Sequence, residues 1–277
     1  MIYGRSLIFM SDKTISKSHE RYLLKLKKRK QSIFLVQVGL LLLGLILWEV
    51  AAYFKWIDPF IMSSPSRIWK LFLEYLTRSN LLHHVFVSVA ETIVGFSLAT
   101  ILGLLISIGL WWSDYWAKVF DPYIVMLNSL PKTALAPIII IWVGAGYSGI
   151  IVTAISVSIV VTIMNMYNSF ISTDSDKIKL LNTFGASKFQ VLRKLVLPSS
   201  IPDLISTLKI NIGLSWVGVI VGEFLVSKAG IGYIIVYGSQ VFKLDIVMMG
   251  VVILALISAL MYKLIAIVEK RFTRWLE

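Results

Sequence analysis

Cysteine is absent from this 277-residue chain, and histidine occurs only as His19, His83 and His84. Disulfide staples and thiol nucleophiles are therefore excluded, and a multi-histidine metal site lacks its ligands. Charge is also scarce, at 15% of residues. No G-x-x-x-x-G-K-[ST] loop occurs: the glycine-rich Gly144-Ala145-Gly146-Tyr147-Ser148-Gly149 lacks the lysine that a phosphate-cradling loop needs. Nor is there a clustered nucleophile, base and metal set, which argues against an enzyme embedded in lipid.

Apolar residues take up the space left by these absences, at 57% of the chain. They gather into six runs: 33 to 54, 85 to 112, 118 to 143, 148 to 171, 201 to 225 and 246 to 268. Each is long enough to cross a hydrocarbon core of roughly 30 Å as a helix of about 20 residues. Backbone groups in lipid must be satisfied within the segment, and the alternating stretches of about ten residues that build a barrel do not occur. The expected fold class is an all-α polytopic membrane protein with about six transmembrane helices.

Orientation follows from lysine and arginine. With the N-terminus inside, the inner segments hold 18 of the 27 basic residues against six in the outer ones, while Lys132, Lys209 and Lys263 lie within spans. Basic short loops stay cytoplasmic, so both termini are expected there. Trp48, Trp56, Trp111, Trp112, Trp116 and Trp142 fall at the predicted span ends, where an interfacial aromatic belt places them. The segment 1–32 carries nine basic residues and a net charge of +7. Beside a span this reads as topology anchoring and contact with anionic lipid, not as a nucleic-acid site. His83-His84 reads as an interfacial pair, and the remaining chain, 33–277, as the transmembrane domain.

The connection from about 173 to 200 is the most informative stretch. Ile178, Leu181, Phe184, Phe189, Leu192, Leu195 and Val196 recur near helical spacing with charges between them. Short amphipathic helices broken at Gly185 and stopped by Pro198 and Pro202 are expected, lying on the bilayer surface or docked on a partner.

In this connection the sequence resembles the permease subunits of bacterial ABC importers, which share a cytoplasmic loop E-A-A-x-x-x-G-x(9)-I-x-L-P. Gly185, Leu195, Leu197 and Pro198 stand at its spacing, with leucine for isoleucine, while Lys179-Leu180-Leu181 occupies the tripeptide. Similarity extends over about 85 to 270 and is closest to the sulfonate, taurine and nitrate type. It includes Pro131-Lys132-Thr133-Ala134-Leu135-Ala136-Pro137, Ile141-Trp142-Val143-Gly144-Ala145-Gly146, Gly185-Ala186-Ser187, Gly213, Glu223 and Gly230-Ile231-Gly232.

The resemblance implies a type I importer fold of five core helices preceded by one more, in a bacterial inner membrane. It also implies a second permease copy, a cytoplasmic ATPase dimer that binds ATP and Mg, and an extracytoplasmic substrate-binding protein. This chain would bind no cofactor itself. Gly185, Ala186 and Ser187 would form the turn of the coupling helix, with Phe189 and Leu192 as apolar anchors and Lys188 or Arg193 as rim charges. Specificity would reside mainly in the binding protein.

Within the spans, Gly95, Ala99, Gly103 and Ser107 recur every fourth residue, and Gly218 and Gly222 form a second pair, as close helix packing in lipid requires. Glu91 extends the first row outward and is read as structural; many of the permeases the chain resembles carry a basic residue there. Lys132 lies midway along the third span between Pro131 and Pro137. Either its ammonium bonds carbonyls freed by the prolines, or it lines the pathway and favours an anionic solute. Glu223 and the segment 228–240 read as part of an outer gate or binding-protein contact, or as loop geometry. Asn165, Asn211 and Ser215 are further pathway candidates. A secondary transporter would need an ion-coupling pair and usually an internal repeat, and the sequence shows neither.

Overall fold

A computed structural model describes residues 17–272. The far parts of the basic N-terminal segment and of the last inner segment, residues 1–16 and 273–277, lie outside the described residues. The chain divides into two units with the boundary after Pro59. The first consists mainly of α1 (Lys17–Tyr53), a proline-free helix that continues from the basic stretch into the first apolar run. It ends before Lys55, which adopts a positive φ of 59°.

At the boundary stands the single turn α2 (Pro59–Met62). The second unit then runs through α3 (Pro65–Arg78), α4 (Leu81–Trp112), α5 (Asp114–Ser129), a 3-10 turn (Lys132–Leu135), α6 (Ala136–Val143) and α7 (Tyr147–Ile171). It continues with α8 (Ser175–Thr183), α9 (Lys188–Val191), a π turn (Leu192–Val196), α10 (Leu197–Ser199), α11 (Ile201–Val226), α12 (Ile231–Gln240) and α13 (Leu244–Phe272). Among the described residues, five helices are long and apolar enough to cross a membrane. A sixth crossing requires α5 and the Lys132–Val143 segment together, and these are bent by 88°.

That bend corrects the expected helix over 118–143. Leu130 is extended, at φ −69° and ψ 139°, as the residue before a proline is pressed to be. Pro131 then has no N–H with which to continue α5, and Pro137 sits in the first turn of α6, where a missing donor costs nothing. Pro198 and Pro202 also depart from expectation: they do not stop the chain but stand in the first turns of α10 and α11. A widened π turn precedes Pro198, at the place where the ring would meet the carbonyl four residues back.

The core is a three-helix contact with α7 between α4 and α11. A Cβ on Gly95 would stand 2.8 Å from that of Ala154, and one on Gly103 2.6 Å from that of Thr162. From the other side, a Cβ on Gly218 would stand 2.5 Å from the Ala154 Cα, and one on Gly222 3.0 Å from the Ile150 Cα. Ala99 is fully buried in the same row. Lipid offers no hydrophobic drive between apolar helices, so close backbone approach and cross-helix hydrogen bonds must hold them. Ser107 supplies one such bond, donating to the Ile163 carbonyl at 3.1 Å.

The long connection between the first two spans holds α3, an amphipathic helix too short to span a membrane. Ser64 caps it by accepting from the Arg67 N–H, Pro65 opens it, and Ile68 is buried. Arg67 pairs with Asp245 in the first turn of α13 at 2.6 Å.

Candidate functional site

The segment from Asp174 to Ser200 is built by local rules. Asp174 caps α8, its Oδ1 accepting from the N–H groups of Asp176 and Lys177 at 2.9 and 3.4 Å. Those backbone donors hold its carboxyl below the ordinary aspartate range. At the other end of α8, Gly185 takes φ +76°. Its N–H donates to the Asn182 carbonyl at 2.9 Å and that of Ala186 to the Leu181 carbonyl at 3.0 Å. This paired closure with a left-handed glycine is a Schellman motif, and Leu181 and Ala186 pack on the same apolar cluster. Ser187 and Gln190 then form a capping box that opens α9.

Two faces result. Val191, Leu192 and Val196 are buried against Met166 and Phe170 near the end of α7, with Leu181, Ala186 and Leu197 at the edge. Phe184 and Phe189 remain 80% and 58% exposed, and Leu195 is half-buried. Leu192 is thus not available as an anchor for a partner, because its own chain covers it. Lys188 is not a rim charge either. Its ammonium donates to the Trp112 carbonyl at 2.6 Å and lies 5.5 and 5.6 Å from the centroids of Trp111 and Trp112. A cation there complements the C-terminus of α4. Arg193 is exposed, as is Pro198.

Of the pathway candidates, three lie inside the helix packing. Asn211 is fully buried and donates to Thr162 Oγ1 at 2.7 Å, and Ser215 is fully buried beside Ser158. Both bridge α11 to α7. Glu223 is buried near the C-terminal end of α11, where Ser88 Oγ donates to its Oε1 and the Gly232 N–H to its Oε2, each at 2.5 Å.

Around Glu223 the chain is shaped to fit. A Cβ on Gly232 would come within 2.8 Å of the Glu223 side chain, and one on Gly230 would also collide with it. The Ile231 N–H donates to Ser88 Oγ at 2.7 Å and the Gly230 N–H to His84 Nδ1 at 3.0 Å. The carboxylate thus seats the N-terminus of α12 on α4 and α11. Glu91, also buried, faces Glu223 from α4.

Pro131, Lys132 and Pro137 lie at the bend. Lys132 Nζ donates to the Asn128 carbonyl at 3.1 Å and to its side-chain oxygen at 3.4 Å, closing the end of α5 where carbonyls lack helical partners. The carbonyl it finds is that of Asn128, not those of Leu127 and Thr133 left by the prolines. Asn165 lines a polar cavity between α7 and α11. Among the described residues no three His, Asp or Glu stand together as metal ligands.

A polytopic helical unit with a polar connection of this kind is the transmembrane domain of a type I ABC importer. Residues 85–274 match the family described as Binding-protein-dependent transport system inner membrane component, and the chain belongs to that family. It is 27% identical over 240 residues to the putative aliphatic sulfonates transport permease protein SsuC of Bacillus subtilis, covering 86% of this chain and 87% of that one. It is 30% identical over 193 residues to the formylaminopyrimidine transport permease protein ThiX of Halalkalibacterium halodurans, covering 69% and 76%. Among solved structures, an inward-facing MetNI methionine ABC transporter chain aligns with a TM-score of 0.61 at 18% identity, over 71% of this chain and 96% of that one. A bacterial alginate ABC transporter in complex with its alginate-bound periplasmic protein gives 0.59 at 11% identity, over 89% and 97%. The protein is a transmembrane permease subunit.

Proposed function

We propose that this chain forms one half of the solute pathway of an ATP-driven importer in a bacterial cell membrane and is moved by a cytoplasmic ATPase through the Gly185 turn. The observation that carries this reading is the Gly185-centred turn itself. It is rigidly closed on one side by the Schellman and capping-box bonds and seated on α7 by Val191, Leu192 and Val196, while Phe184 and Phe189 project from the other side. A segment fixed to the bundle and apolar on its free face can receive a groove and pass rigid-body motion to α7 and α11. ATP and Mg are bound by that partner and not by this chain. An extracytoplasmic binding protein delivers the solute, and a second copy of the chain completes the path. Both termini and the 173–200 connection face the cytoplasm. The relatives' names span sulfonates, taurine and formylaminopyrimidine, so the family covers several solute classes.

The test is retrieval of a nucleotide-binding subunit with the tagged chain. Replacing Phe184→Asp and Phe189→Asp together is expected to lower the retrieved ATPase by about tenfold or more, since aromatic anchors in such contacts each contribute about 2 kcal/mol or more. Insertion should be unaffected. Undiminished retrieval by a normally inserted double variant would place the contact elsewhere. Solute uptake by the wild-type chain alone, without nucleotide, would end the importer reading.

A further inference from the structure

Between the inner ends of α7 and α11 lies a cavity of about 310 Å³. Asn165, Asn168 and Ser169 line it from α7, and Asp203, Ser206 and Thr207 from α11. Its accessible surface is mainly apolar with these amides, hydroxyls and one carboxylate set into it, and polar groups rising from the ends of two spanning helices border water or protein. Part of Asp203's presence is structural. It stands in the first turn of α11, where a carboxylate complements the helix dipole, and Ser169 Oγ donates to its Oδ2 at 2.5 Å. Neither role requires the polar wall to rise along α7 from Ser169 to Asn165, and the Ser169 bond leaves the other carboxylate oxygen to the cavity.

The charged side chains that line this cavity and the space beside it are acidic. An adjoining pocket brings Asp121 of α5 and Tyr167 to the other side of Asn168, and no lysine or arginine lines either space. Three lysines of the spans and their ends are held elsewhere: Lys132 at Asn128, Lys188 at Trp112 and Lys209 at Glu269. A carboxylate with low-dielectric walls about it focuses its field into the cleft.

We propose that this cavity is the cytoplasmic mouth of the solute pathway, and that Asp203, with the amides of Asn165 and Asn168, makes it favour solutes carrying an ammonium, amidine or ring amine over sulfonates and carboxylates. The proposal rests on the permease reading and narrows its solute class. The amides supply hydrogen bonds to either sign of ligand, while Asp203 discriminates. It also reverses the sign expected if Lys132 governed selection.

Because the chain has no cysteine, the field can be read with small thiol reagents and no knowledge of the solute. Ser206→Cys is placed in the full chain, expressed with its ATPase in inside-out membrane vesicles. It is then treated with cationic and anionic methanethiosulfonates, with rates normalised to a free thiol. Both reagents are expected to react, the cationic one about tenfold faster. Asp203→Asn in the same background should remove most of that preference. Raising ionic strength from about 0.05 to 0.5 M should reduce it in the parent variant, a reading that stands even where Asp203→Asn fails to insert.

No reaction with either reagent, at Ser206→Cys and likewise at Asn165→Cys, would show a dry contact with lipid or a second copy and overturn the mouth. Equal rates, a faster anion, or a preference that survives Asp203→Asn would overturn the charge selection. Retrieval of the ATPase is scored separately, so failure of the cavity proposal is distinguishable from failure of the importer reading.

Discussion

Gly185 is held at φ +76° with nothing within 4 Å of the position a Cβ would take, so a substitution there meets a conformational cost and no steric one. A side chain in the left-handed region costs about 1–2 kcal/mol, and a β-branched one is the least suited to it. Gly185→Val is therefore expected to leave insertion intact while ATP hydrolysis runs without transport, and Gly185→Asn, which tolerates that region, to fall between. Coupled uptake in reconstituted vesicles, compared with hydrolysis, checks both; normal coupling in Gly185→Val would show that the turn transmits nothing. At Asp174 the backbone bonds lower the folded carboxyl's pKa, so the cap's contribution is fully present above the ordinary aspartate value of about 3.9 and is lost as pH falls through the lower folded value. Protection of the Asp176 and Lys177 amides, measured against the intrinsic exchange rate at each pH, is expected to fall across that window. Asp174→Asn keeps a cap but should abolish the pH step, and a step that persists would point to another group.

At the scale of elements, the sequence was legible wherever one periodicity or one long run decided the matter. The apolar runs mark the spans, and Gly95, Gly103, Gly218 and Gly222 mark faces that meet α7 because lipid leaves close approach as the means of association. Burial that changes along an axis was not legible. Phe189 and Leu192 share a helical spacing, yet one lies at the chain's edge and the other meets Met166 and Phe170 a turn later. Asn211 and Ser215 could not be told from pathway residues, since a polar side chain in a span looks the same whether it bridges helices or faces water. α3 and α12 were missed as helices too short for a span, and the prolines near Leu130 announced a break without its 88° angle. The same scale holds a charge pair that the sequence left as an unplaced lysine. Lys209 of α11 meets Glu269 of α13 at 2.5 Å, with side chains 20% and 29% exposed. Lys209→Ala removes the cation from a partly buried carboxylate near the C-terminal end of α13 and is expected to cost about 1–2 kcal/mol, below the range for a fully buried pair. Lys209→Met with Glu269→Leu should regain most of it in thermal unfolding of the detergent-purified chain. A double variant no better than the single one would show that the pair holds the helices by more than mutual neutralisation.

For the whole molecule, orientation decides which partner each face can meet. The exposed Phe184 and Phe189 face an ATPase, and the Asp203 cavity opens inward, only if the 173–200 connection is cytoplasmic. The basic residues favour that arrangement by 18 to six, a bias that acts during insertion and leaves no mark on the helix packing afterwards. The outer cluster of Glu223, Ser88, His84 and the Gly230–Gly232 turn lies at the opposite ends of α4 and α11, so the same choice places it towards the binding protein. Single cysteines in this cysteine-free chain test all of this together. Trp56→Cys, at a position 75% exposed, is expected to react with a membrane-impermeant maleimide in intact cells. Lys179→Cys, on a side chain 76% exposed, should react only after the inner membrane is opened. The opposite pattern would invert every partner assignment while leaving the fold untouched, and labelling of both sites in intact cells would mean that the basic bias does not fix one orientation.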